Sequence, residues 1–199
     1  VSNATDYLQD GDVRIKQADG TYQVGTPTDD MVKDENGIYF VDENLAQAGN
    51  VAVVDGTYYS TLSVAISAAS TGATVKLIAD VTESVTIGEG KNIVLDLNGK
   101  TLNGGTEAKK AAITNYGTLT IQDNSETGTG IIKRGDDETA GYYTIDNQGT
   151  MTISGGTITN NTGFTNSNGQ KNGASLIRNA GVSSAAVLNV TGGTIQQDN

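Results

Sequence analysis

The chain has 199 residues and a formal net charge of −11, with no cysteine and no histidine. The charge argues against a nucleic-acid partner and against docking on anionic membranes. The missing residue types remove disulfides, the usual zinc ligands and Ser–His or Cys–His nucleophile pairs.

In chain order, residues 6–50 are polar and irregular. VRIKQADGTYQV predicts a hairpin about Asp19-Gly20, and MVKDENGIYFV a second about Asn36-Gly37. Hairpins this short are marginal alone and are expected to pack on the rest of the chain. Residues 1–50 are therefore read as a small β-rich appendage. The period then changes. Leu62, Ala65, Ile66 and Ala69 fall at i, i+3, i+4 and i+7, which predicts one helix over about residues 60–70. Ser60 or Thr61 serves as its N-cap, and Gly72 lies just past its end. No other segment reads as a convincing helix, and no apolar run approaches a membrane span.

From residue 73 onward apolar and polar residues alternate, broken by glycine turns. Leu95, Leu97, Gly99, Thr101 and Leu102 align with Met151, Ile153, Gly155, Thr157 and Ile158, and again with Leu188, Val190, Gly192, Thr194 and Ile195. A fourth copy starts at Leu119 and Ile121 and carries an insertion before Ile131-Ile132. A second phrase, apolar-x-Asn-x-Gly, sits at Ile113-Asn115-Gly117, Ile145-Asn147-Gly149 and Ile177-Asn179-Gly181. The phrase persists while the loops between copies vary in length. That pattern predicts a solenoid whose strands stack and whose corners vary. The apolar spacing of two excludes helical repeats.

The run VAVVDGTYYSTLSVAISAASTGATVKLIADVTESVTIGEGKNIVLDLNGKTL resembles the opening of pectate-lyase-like right-handed β-helix domains. Such domains occur in large secreted or wall-attached proteins of Gram-positive bacteria, many of them gut inhabitants. The resemblance covers about residues 51–199 and rests most on the helix and on LDLNGKTL. It implies an all-β fold: a right-handed parallel β-helix closed at its N-terminal end by one cap helix. It implies an extracellular location, secreted or wall-attached, but no single activity, since members include lyases, hydrolases, tailspikes and adhesins.

Asn115, Asn147 and Asn179 are expected to form a structural ladder of amides along the stack. Candidate ligand-binding residues lie in the corner loops NGGTEAKKAA, KRGDDETAG and TNNTGFTNSNGQKNG: Lys109, Lys110, Lys133, Arg134, Asp136, Asp137, Tyr142, Tyr143, Asn168 and Lys171. These loops fall between the same two phrases on consecutive coils, so they emerge side by side. Tyr142-Tyr143 and Tyr58-Tyr59 read as core plus surface, with sugar stacking as the alternative. KRGDDETAG reads as a solvated charged loop, and Arg134-Gly135-Asp136 within it matches an integrin-recognition string. The polygalacturonase pattern fails for want of a histidine and of an NTD motif. The segment from Asp34 lacks calcium-loop spacing, so no cofactor is expected beyond weak calcium at acidic turns. Because the chain ends inside a phrase, TGGTIQQDN, its open end is expected to be covered by further chain, a partner or a neighbouring molecule. The function expected is a non-catalytic surface module for adhesion or for recognition of a glycan or host-surface ligand. A polysaccharide lyase or hydrolase and a structural stalk are the alternatives.

Overall fold

The repeated phrase is laid down as parallel strands that pass in strict rotation through three sheets. The computed structural model describes residues 12–29, 31–105, 107, 109–134, 142–160, 175–181 and 185–197. In the longest sheet, Thr74–Leu77, Asn92–Asp96, Thr118–Gln122, Thr150–Ile153 and Val187–Val190 run parallel as neighbours. The second sheet stacks Val81–Thr82, Thr101–Asn103, Ile131–Lys133, Thr157–Ile158 and Thr194–Ile195. The third stacks Val85–Ile87, Ile113–Asn115, Ile145–Asn147 and Ile177–Asn179. Each turn of the chain thus adds one strand to each sheet. Parallel neighbours cannot be joined by a tight hairpin, and here the other two sheets supply the crossover.

The register puts like on like. Ile93, Leu119, Met151 and Leu188 form one inward column, and Leu95, Ile121, Ile153 and Val190 the next. Except in the last coil these residues are fully buried. Each such side chain contributes about 1.5–3 kcal/mol by leaving water. In the last coil Val190 is 53% exposed and Ile195 41%, because no described strand lies beyond them.

This register corrects the alignment expected for the first copy. Leu95 pairs with Ile121 and so stands level with Ile153, not with Met151. Leu95 to Leu102 is seven residues, and Ile153 to Ile158 is five. The two extra residues lie in the turn where Asn98 and Gly99 both take positive φ. A slip of two preserves the inward face, so alternation alone could not reveal it.

Two helices are present among the described residues, and the first was not expected. Helix α1 spans Glu43–Gln47, capped by Asp42, whose carboxylate accepts from Asn44 N at 2.8 Å. It corrects the expectation of a single helix: five residues are too few to display an apolar period. Helix α2 spans Leu62–Ala68, with Thr61 as N-cap accepting from Val64 N. Leu62, Ala65 and Ile66 join the main apolar cluster with Ala52, Val54, Val75, Val85 and Ile87, so α2 covers the first coil. The two hairpins form as antiparallel pairs, Val13–Lys16 with Tyr22–Gly25 and Val32–Asp34 with Tyr39–Phe40. With the antiparallel strands Ala52–Val54 and Thr57–Tyr59, which stand between them and Thr74–Leu77, they extend the longest sheet to eleven strands.

A second, small cluster of Phe40, Ala46 and Tyr58 joins α1 to this extension. Burial, with the hydrogen bond from Tyr58 Oη to Glu43 Oε1 at 2.7 Å, pushes the Tyr58 phenol up to about 12. The folded state holds this proton more tightly than the unfolded chain, whose tyrosine titrates near 10. The stabilisation is therefore intact below pH 10 and is lost as pH rises toward about 12. Urea melts across that interval should show wild type losing stability faster than Tyr58→Phe. Parallel losses would contradict the assignment.

Candidate functional site

Two corners of the coil carry chemistry. The first joins the second sheet to the third. Here Gly104 N donates to Lys133 O and Thr159 N to Ile132 O; Ala112 N donates to Thr144 O and Thr144 N to Leu176 O, all at 2.8–2.9 Å. These bonds stack the roots of the three long connections one above another. Asp136, Asp137, Asn168 and Lys171 lie outside the described residues.

Arg134 departs from the expectation of a solvated loop: it is 1% exposed. Its Nε donates to Lys110 O at 2.8 Å and its Nη2 to Glu107 O at 2.6 Å, so it ties one connection to the next. An arginine held this way is not presented as part of an integrin-recognition string. Lys110 pairs with Glu107 at 2.9 Å on the surface, a contact worth at most about 1 kcal/mol. Lys109 is exposed and takes a left-handed backbone, and Lys133 is half-buried in its strand.

Tyr142 and Tyr143 are both half-buried, with ring centroids 4.8 Å apart. Each ring is faced by a guanidinium: Arg134 at 5.8 Å from Tyr142 and Arg178 at 5.4 Å from Tyr143. Arg178 is in turn bound through two nitrogens to the buried Asp146, at 2.7 and 2.5 Å. That hydrogen bonding raises the Arg178 pKa further. Sequence reasoning missed Arg178 and Asp146, which occupy matching positions on adjacent strands. It also missed Thr159 and Asn160. The Thr144 hydroxyl, one residue on from Tyr143, donates to Thr159 O at 2.8 Å. Thr159 Oγ1 and Asn160 Nδ2 are buried and have no hydrogen-bond partner among the described residues. The Tyr58-Tyr59 pair divides otherwise: Tyr58 enters the small cluster, while Tyr59 packs on the main one.

The second corner joins the third sheet to the longest one and contains the asparagines. Asn115 Nδ2 donates to Asn147 Oδ1 at 2.7 Å, and Asn147 Nδ2 to Asn179 Oδ1 at 2.6 Å. The same amides also reach Thr150 O and Val187 O, so the ladder satisfies turn carbonyls as well as itself. Outside this ladder runs a groove of about 270 Å³, bordered by Lys91, Asn92, Tyr116, Thr118 and Thr150. Tyr116 is 42% exposed. A second hollow of about 580 Å³, near α2, shares Gly90 and Lys91 with it.

Several other acidic side chains hold turns. Asp34 accepts from Asn36 N and Ile38 N, and Asp96 from Asn98 N and Asn124 N. Burial opposes ionisation of Asp123, but the amides of Gly130, Gly99 and Ser125 outweigh it and hold its carboxyl below the usual range. Among the described residues no three Asp, Glu, His or Cys side chains gather as a metal site. No described helix is long and apolar enough to cross a membrane. No protein-family model, curated protein or solved structure matches the chain.

Proposed function

We propose that residues 51–199 form a right-handed parallel β-helix that acts outside the cell as a non-catalytic module for adhesion or glycan recognition. The fold reading is supported by the rotation of strands through three parallel sheets. The right hand follows from the strong preference of parallel crossovers for it. One observation carries the binding reading. At the first corner two tyrosine rings lie together, on the connection whose Thr144 is bonded to Thr159, and Thr159 and Asn160 hold buried polar atoms without partners among the described residues. Ring faces with nearby polar groups are the chemistry that takes up a sugar. Catalysis is less well supported. Proton abstraction from a polyuronate needs a base free to move a proton. Asp96, Asp123 and Asp146 instead hold turn amides or Arg178.

A glycan array read with and without calcium tests this reading. Binding of at least one glycan class is expected. A blank array would remove the recognition reading and favour a structural stalk. Unsaturated product from polygalacturonate or alginate would promote the lyase alternative.

A further inference from the structure

We infer that the groove outside the asparagine ladder binds a neutral, extended β-linked oligosaccharide lying along the stack, with Tyr116 as its stacking platform. The inference rests on the glycan-recognition reading, but it places the ligand at a different corner from the long connections.

The floor of the groove is backbone. A Cβ on Gly117 would stand 2.6 Å from Gly88 O and closer still to Lys91 O, so adjacent coils touch here with no room for side chains. One wall is a column of outward polar residues at the start of the longest sheet's strands: Asn92, Thr118 and Thr150, in direct register. They recur once per coil, about 4.8 Å apart. That spacing is close to the repeat of pyranose rings along a β-1,4 chain, so successive sugars can meet successive side chains. The opposite wall holds Tyr116. Its amide donates to Ile87 O, which places it level with Gly88 on the preceding coil. Gly88 offers no side chain against the ring. The ring is the one large apolar side chain in a groove otherwise lined by Asn92, Thr118, Thr150, glycine backbone, Lys91 and the small Ala185.

Three other occupants fit less well. A peptide adding as a strand needs free backbone groups. Here Thr118 N donates to Lys91 O, Thr150 N to Gly117 O and Ala180 N to Asn147 O, so the coils use these groups on each other. A polyanion is repelled by the net charge of −11. The nearest cation, Lys91, is engaged with Ser67 O and Ala69 O at 2.8 and 2.7 Å. An aliphatic ligand would leave the threonine and asparagine groups without partners. A sugar chain uses both the ring and the polar column.

The test is calorimetric titration of the full chain with β-1,4-linked hexasaccharides of glucose, mannose and xylose, and with hexagalacturonate as the anionic arm. At least one neutral hexasaccharide should bind, and hexagalacturonate more weakly. Tyr116→Ala should weaken that binding about tenfold or more, and Tyr116→Phe should stay within about threefold of wild type. Tyr116 is exposed, so both variants should fold, which thermal melts would check. Thr152→Ala, on the same sheet outside the groove, should bind as wild type does. Binding that survives Tyr116→Ala but is lost in Tyr143→Ala would overturn this inference and leave glycan recognition standing at the first corner. No binding in any neutral arm would overturn the inference, whatever other glycan binds on the array.

Discussion

Gly149→Ala should destabilise the fold by about 3 kcal/mol or more, because the added carbon has no direction in which to yield. Its Cβ would lie 2.7 Å from the carbonyl carbon of Tyr116 and closer still to Gly117 O. Both are backbone atoms of the coil beneath. Relief therefore requires two coils to part, which lengthens the bonds from Gln148 N to Asn115 O and from Thr150 N to Gly117 O, each now 2.8 Å. The cause is space, not conformation, since Gly149 is not among the glycines with positive φ. Gly88→Ala supplies the contrast: nothing lies within 4 Å of its Cβ. It should cost within about 0.5 kcal/mol, as open positions do. Urea midpoints at neutral pH decide the matter, and equal losses for the two variants would contradict the packing described.

Asn147→Ala should cost about 3 kcal/mol for a different reason. The side chain is fully buried and sits at the centre of the ladder. It receives a bond from Asn115 and gives bonds to Asn179 Oδ1 and Val187 O, at 2.6 and 2.9 Å. Alanine would leave the Val187 carbonyl and the Asn179 oxygen without this donor. The two asparagines flanking it would also lose their link. Asn179→Ala removes the exposed end of the same ladder, where water can replace the lost partner, and should cost under about 1 kcal/mol. Thermal and urea unfolding of the pair measures the gradient. A larger loss for Asn179→Ala would reverse the assignment of centre and end.

Features legible in the residues are those with local signals. The hairpin turns carry Asp19-Gly20 and Asn36-Gly37, and Gly20 and Gly37 do take positive φ. The apolar stripe of α2 was legible because four residues recur at helical spacing. The apolar-x-Asn-x-Gly phrase identified an amide column because corner residues of stacked coils must repeat. Other features were not local. The register of Leu95 depends on a turn two residues longer, which alternation cannot detect. The junction of the hairpins with the longest sheet involves Lys33 and Asp34 beside Thr57 and Tyr58, a pairing without a sequence signature.

The candidate site divides in the same way. Loop positions predicted that long connections emerge together, and the stacked bonds at their roots agree. Composition could not predict that Arg134 turns inward to the carbonyls of Glu107 and Lys110. Nor could it find the groove at Tyr116. That groove exists because bare glycines on successive coils leave a trough, which only the stacking of coils makes visible.

The central claim is that copies of the phrase lie directly one above another, 32 residues apart at the asparagine corner. Nuclear Overhauser contacts between side-chain amides test it most directly. The account predicts cross-peaks linking the Nδ2 protons of Asn115 and Asn147, and those of Asn147 and Asn179. Slow exchange with water is expected for Asn147, which is buried, and faster exchange for Asn179, which is exposed. Amide protons of Asn115 and Asn147 that show only contacts with their own turns, and exchange freely, would contradict it.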